Sequence, residues 1–100
     1  MSTIDFNSFM SFCTGLQGQT LPTVGEGAQF VLSLVKNDCL HYIVKSTGKH
    51  RHSSKPDIED VLNHYAMTGS LCPGDYVHIT RHASYTLTLI KLYLAHQSKN

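Results

Sequence analysis

Residues 29–46, "QFVLSLVKNDCLHYIVKS", constrain the fold more than any other stretch of this chain. Two runs rich in β-branched and aromatic residues flank Asn37-Asp38, a turn-forming pair, so an antiparallel hairpin is predicted. Side chains alternate along a strand, and the loop length therefore decides which residues share a face. A two-residue loop would place Phe30, Leu32 and Leu34 with His41, Ile43 and Lys45. A three-residue loop aligns them with Leu40, Tyr42 and Val44 instead, which makes one coherent apolar face. The second register is the expected one. "STGK" then reads as another turn, and "KHRHS" as a short third strand at an edge.

Such a meander has an apolar face that flanking helices must cover. Ile4, Phe6, Phe9, Met10 and Cys13 recur with rough helical period, with Ser2 or Thr3 as N-cap and Gly15 as stop. Residues 18–28, with three glycines and a proline, read as a loop or irregular edge strand. Ser54-Lys55-Pro56-Asp57 resembles a capping box, and Ile58, Val61, Leu62, Tyr65 and Ala66 follow at helical spacing until Gly69. "SLCPGDY" reads as a loop. In the last segment Tyr85, Leu87 and Leu89 alternate as in a strand, whereas Ala83, Leu87, Ile90 and Leu94 form a helical stripe with Thr80 as cap. The unbroken length favours a helix.

The expected fold is α+β: an N-terminal helix, a three-stranded antiparallel meander, and two C-terminal helices packed on one sheet face. One compact domain spans residues 1–100, which suits a chain of this size. The expected core holds Phe9, Phe30, Leu32, Leu34, Leu40, Tyr42, Val44, Ile58, Val61, Leu62, Tyr65, Leu87, Ile90 and Leu94.

Chemistry is less legible. With 41% hydrophobic and 15% charged residues the chain reads as globular, and a net charge of +1 carries no global signature of nucleic-acid binding. Cys13, Cys39 and Cys72 are odd in number and form no Cys-x-x-Cys pair, so reduced thiols in a cytoplasmic setting are expected. The first residues carry an acid and no basic flank, unlike a signal peptide, and no apolar run approaches the ~20 residues that span a bilayer; no membrane partner is expected.

The most suggestive stretch is "KHRHSSK", residues 49–55. On a strand, His50 and His52 would point to one face, and a two-residue Thr47-Gly48 loop would set Lys45 against His50 and Ile43 against His52. His41 would then lie diagonally from His52. With a lysine beside them and no carboxylate or thiolate at hand, these histidines read as polar surface; no metal and no cofactor is expected. Lys45, Lys49, Arg51 and Lys55 hold half of the chain's eight Lys and Arg residues within eleven positions. With His50 and Arg81 they form the expected nucleic-acid contacts, and His82 could extend them. Tyr76 and Tyr85 could stack on bases, although buried aromatics with bonded hydroxyls are the stronger reading. A triad of Ser84, Asp75 and a histidine can be drawn only on paper, with no nucleophile elbow and no paired carboxylates, so no enzyme and no catalytic residue is expected.

The order "STGKHRHSS…IEDVLNHYAMTGSL…ITRHASYTLTLI" resembles small α+β modules that accompany nucleases and restriction-type proteins or occur alone in mobile genetic elements. The likeness covers roughly residues 16–94. It implies a nucleic-acid-associated role and assigns no catalytic residue. Where those modules are strongly basic, this chain has His50 and His52. The alternative expectation is a protein-interaction or homodimer module, with Val31, Val35 and Ile43 on the outer sheet face and Leu89, Leu92 and Tyr93 off the stripe of the last helix.

Overall fold

The computed structural model describes residues 4–23 and 28–98. Asp5 precedes α1 (Phe6–Thr14) in extended conformation, and its carboxylate accepts the Ser8 amide at 2.9 Å. The acid therefore caps the helix, a role the sequence had suggested for Ser2 or Thr3, which lie outside the described residues. Four antiparallel strands follow in the order β1-β2-β3-β4: β1 (Thr20–Pro22), β2 (Gln29–Lys36), β3 (Cys39–Val44) and β4 (His50–Ser53). β1 makes the sheet one strand larger than expected. Only three residues long and ending in a proline, it falls in the stretch read as a loop or irregular edge strand, and pairing with β2 makes it the edge strand, with buried Leu21 opposite Phe30.

The β2–β3 hairpin combines both candidate registers. Its turn is the two-residue one: Lys36 faces Cys39, and Asn37 and Asp38 take positive φ of 54° and 61°, as a type I′ turn requires. That register alone would put Ile43 and Lys45 opposite Leu32 and Phe30. A β-bulge at Ser33 corrects it, because Leu34 pairs with His41 while Leu32 pairs with Tyr42. The Ser33 hydroxyl donates to the His41 carbonyl at 3.1 Å, so the extra residue is anchored. Phe30 and Leu32 thus meet Val44 and Tyr42, as expected, but Leu34 is turned outward and is 39% exposed. Val35 takes the inward place opposite Leu40 and packs against the core.

Helix α2 (Lys55–Thr68) starts without the expected side-chain cap: Ser54 makes no such bond, although its carbonyl accepts the Ile58 amide. Pro56, whose fixed φ suits a first turn, and Asp57 at the positive helix end remain to favour the start. The helix ends where Gly69 turns left-handed at φ 70° and its amide bonds to the Tyr65 carbonyl. The segment read as a loop holds one 3-10 turn, Pro73–Tyr76, which buries Tyr76 and lets its hydroxyl donate to the Ser70 carbonyl at 2.6 Å.

Helix α3 (Ala83–Ser98) explains the ambiguity of its sequence. Thr86, Leu87, Thr88, Leu89 and Ile90 are buried in succession, so the helix is enclosed on all sides over this turn, which shows neither a single stripe nor true alternation. Its two threonines bond within the interior: Thr88 donates to carbonyls, and Thr86 meets the Tyr42 hydroxyl at 3.2 Å. Leu89 and Tyr93, expected on the surface, belong to the core. The buried sheet residues Leu21, Phe30, Leu32, Leu40 and Tyr42 share one face by register and join Phe9, Ile58, Val61, Leu87 and Ile90 in one cluster. Val44, Tyr65 and Leu94, assigned to the core from sequence, are half-buried.

Candidate functional site

Strand β4 sorts the suggestive heptapeptide by face. Its loop from β3 is longer than the two residues considered, because the Val44 amide bonds to the Lys49 carbonyl at 2.9 Å and Gly48 turns at φ 71°. His50 consequently faces Ile43, and His52 faces His41 directly, where Lys45–His50 and Ile43–His52 pairs and a diagonal His41 had been expected. Arg51 lies opposite Tyr42 and Ser53 opposite Leu40, so both belong to the core side of the sheet. The ladder extends this side to Lys49, opposite Val44. His50 and His52 point the other way.

The core side of β4 meets the segment that leads into α3. His82 loses basicity through burial first, then through the positive charge of Arg51 and the proximity of His52, with Arg81 adding to the effect. Asp57 opposes it. Arg51 and Arg81, thirty positions apart, therefore act on one imidazole. That ring stacks on Tyr85, centroids 6.2 Å apart and planes 29° from parallel. Tyr85 is held in turn against Phe30 and Tyr42 at 4.9 and 4.8 Å. The Thr80 hydroxyl accepts the His82 amide at 3.1 Å and shapes the approach to the helix.

The six residues expected to contact nucleic acid divide accordingly. Arg51 and Arg81 both lower the basicity of His82, and Lys49 lies on the same side of the strand as Arg51. His50 faces the opposite side. Lys55 holds its ammonium 5.1 Å from the centre of the Phe6 ring, engaged with α1. Lys45 is exposed on the β3–β4 loop, its amide bonded to the Gln29 carbonyl. His82 and Tyr85 matter more here than sequence reasoning allowed, since no periodicity links residue 51 with residues 81–85.

Other polar groups make different contacts. Asp75 accepts from the Ser70 hydroxyl, so its observed partner is not the histidine a triad would need. His64 packs edge-on against buried Tyr76 at 4.6 Å and lies 5.2 Å from His78. A cleft of about 270 Å³ lies among Ile4, Asp5, Phe6, Glu59, Leu62 and Asn63, and Asp5 there serves the helix cap. Among the described residues no three His, Cys, Asp or Glu side chains gather closely enough to hold a metal, and no helix is long and apolar enough to cross a membrane. Comparison with protein families, with characterised proteins and with solved structures returned no match.

Proposed function

We propose that this chain is a non-enzymatic accessory domain that associates with nucleic acid through Lys49, Arg51 and Arg81, with His82 and Tyr85 beside them. The observation that carries the reading is that Tyr42, the residue opposite Arg51, packs 4.8 Å from Tyr85, whose ring stacks on His82 next to Arg81 in the chain. Guanidinium groups recognise phosphate oxygens in a planar, two-pronged way, and two of them from separate segments favour a backbone phosphate over a lone counterion. The stacked His82–Tyr85 pair adds aromatic surface next to the charges, as single-strand binders use. The resemblance to nuclease-associated and mobile-element modules points the same way. A cytoplasmic setting suits the three free cysteines. In this arrangement α2 and α3 lie on the inner sheet face, and the outer face stays open.

Fluorescence anisotropy with labelled single-stranded and duplex oligonucleotides tests the proposal. Three phosphate contacts predict a log–log salt slope of about −2 to −3, and Arg51→Ala or Arg81→Ala should each lower its magnitude by about 1. Lys55→Ala should change little, because that ammonium is occupied by Phe6. Binding that is absent, or indifferent to salt, would end the proposal.

A second reading, self-association, has one observation in its favour: Val31 and Ile43 are directly opposed on the outer face, near exposed Leu34. It is narrower than the sequence implied, because Val35, Leu89 and Tyr93 turn inward.

A further inference from the structure

Three histidines stand on the outer face of β3 and β4, and only two of them form a pair. His41 is directly opposite His52, with ring centroids 6.0 Å apart and planes 27° from parallel. The hydrogen-bond ladder specifies what kind of pair this is. Because the Val44 amide bonds across to Lys49, Val44–Lys49 is a hydrogen-bonded pair, and pair types alternate along antiparallel strands. Ile43–His50 is then non-hydrogen-bonded, Tyr42–Arg51 hydrogen-bonded, and His41–His52 non-hydrogen-bonded. The β2–β3 side agrees, since Lys45 bonds to Gln29 and an inner strand alternates oppositely toward its two neighbours. In a non-hydrogen-bonded pair the Cα atoms approach to about 4.5 Å, the closest spacing a sheet allows for side chains.

We propose that His41 and His52 form a two-imidazole site for a divalent metal ion of the zinc class, with water completing its coordination. Imidazole nitrogen bonds Zn²⁺ at about 2.0–2.1 Å, so the two rings must converge from their stacked spacing. His52 is exposed and free to rotate toward its half-buried partner. His50 lies across from Ile43 and has no imidazole opposite it. The His64–His78 rings are closer, at 5.2 Å, but their planes are 67° apart and His64 is already seated against Tyr76. Cys39, two residues along β3 from His41, does not complete a three-ligand group.

Zn²⁺ titrated into the full chain, followed by NMR of the imidazole nitrogens, tests this directly. One saturable equivalent should shift the His41 and His52 nitrogens together. His41→Gln and His52→Gln should each weaken binding more than about tenfold, since even outer partners of metal ligands cost 10–100-fold. His50→Gln and Cys39→Ser should leave affinity unchanged. Saturation that instead follows His64 and His78, or loss of binding on Cys39→Ser, would overturn the assignment. So would the absence of any saturable shift in a chain whose NMR spectrum shows it folded.

Discussion

Cys13 is wholly buried on α1, and burial pushes its thiol from 9.0 up to about 12. Burial drives the Tyr42 hydroxyl in the same direction, against the opposing effect of its bonds to Ser53 and Thr86. Both groups are neutral when folded and ionise more readily when unfolded. A raised folded pKa contributes stability that is complete below the unfolded value and is lost as pH climbs toward the folded one. The urea midpoint should therefore fall between about pH 9 and pH 12, and Cys13→Ala should flatten part of that decline while Tyr42 and Tyr76, whose hydroxyl burial also pushes up, keep the rest. Exposed Cys72 should react with a thiol reagent in the native state, and Cys13 only after unfolding; native labelling of Cys13 would contradict its burial. The sequence supported reduced cysteines, but it could not rank them, because spacing carries no information about depth.

At the scale of elements, the β2–β3 hairpin is the sharpest case. Its apolar face was readable from the alternation of Phe30 and Leu32 against Tyr42 and Val44, and the bulge at Ser33 preserves that face beside a two-residue turn. A longer turn and a bulge solve the same registration problem, and alternation alone does not choose between them. The choice decides which neighbour points inward. Leu34→Asp should change stability by less than about 0.5 kcal/mol, as for an ordinary surface substitution. Val35→Asp should cost about 2 kcal/mol or more, because it places a carboxylate against the core. Urea denaturation of the two variants measures the difference, and the opposite order would mean a three-residue loop. Asn37 and Asp38 offered the clue, since both tolerate the left-handed conformation that a two-residue hairpin turn demands.

For the whole molecule, the apolar residues of the outer sheet face and those of α3 have different roles. Leu89 is fully buried, so Leu89→Lys should unfold the chain, with loss of the circular dichroism signal. Ile43→Glu should leave it folded and, if the outer face self-associates, convert any dimer seen by light scattering to monomer. A wild-type monomer at high concentration would leave the outer face without that role. The basic surface is also a product of the whole fold. Lys49 and Arg51 were visible as a cluster in sequence, but their separation from His50 and Lys55 follows from strand pairing and from Phe6 drawing Lys55 away.

By itself the sequence determined the α+β class, the hairpin with its apolar face and the span of α2 between Ser54 and Gly69, because each rests on local periodicity or local backbone chemistry, while the length of the last segment favoured a helix over the strand its alternation also fitted. Tertiary structure alone decided that Thr20–Pro22 is a strand, that Leu34 and Val35 exchange faces, that residues 86–90 of α3 are enclosed, and that the His82–Tyr85 pair packs on Tyr42. These depend on contacts between residues far apart in the chain, which local patterns do not encode. The opposition of His41 and His52 is of the same kind: one residue more or less in the Lys45–Gly48 loop would have placed those imidazoles out of register.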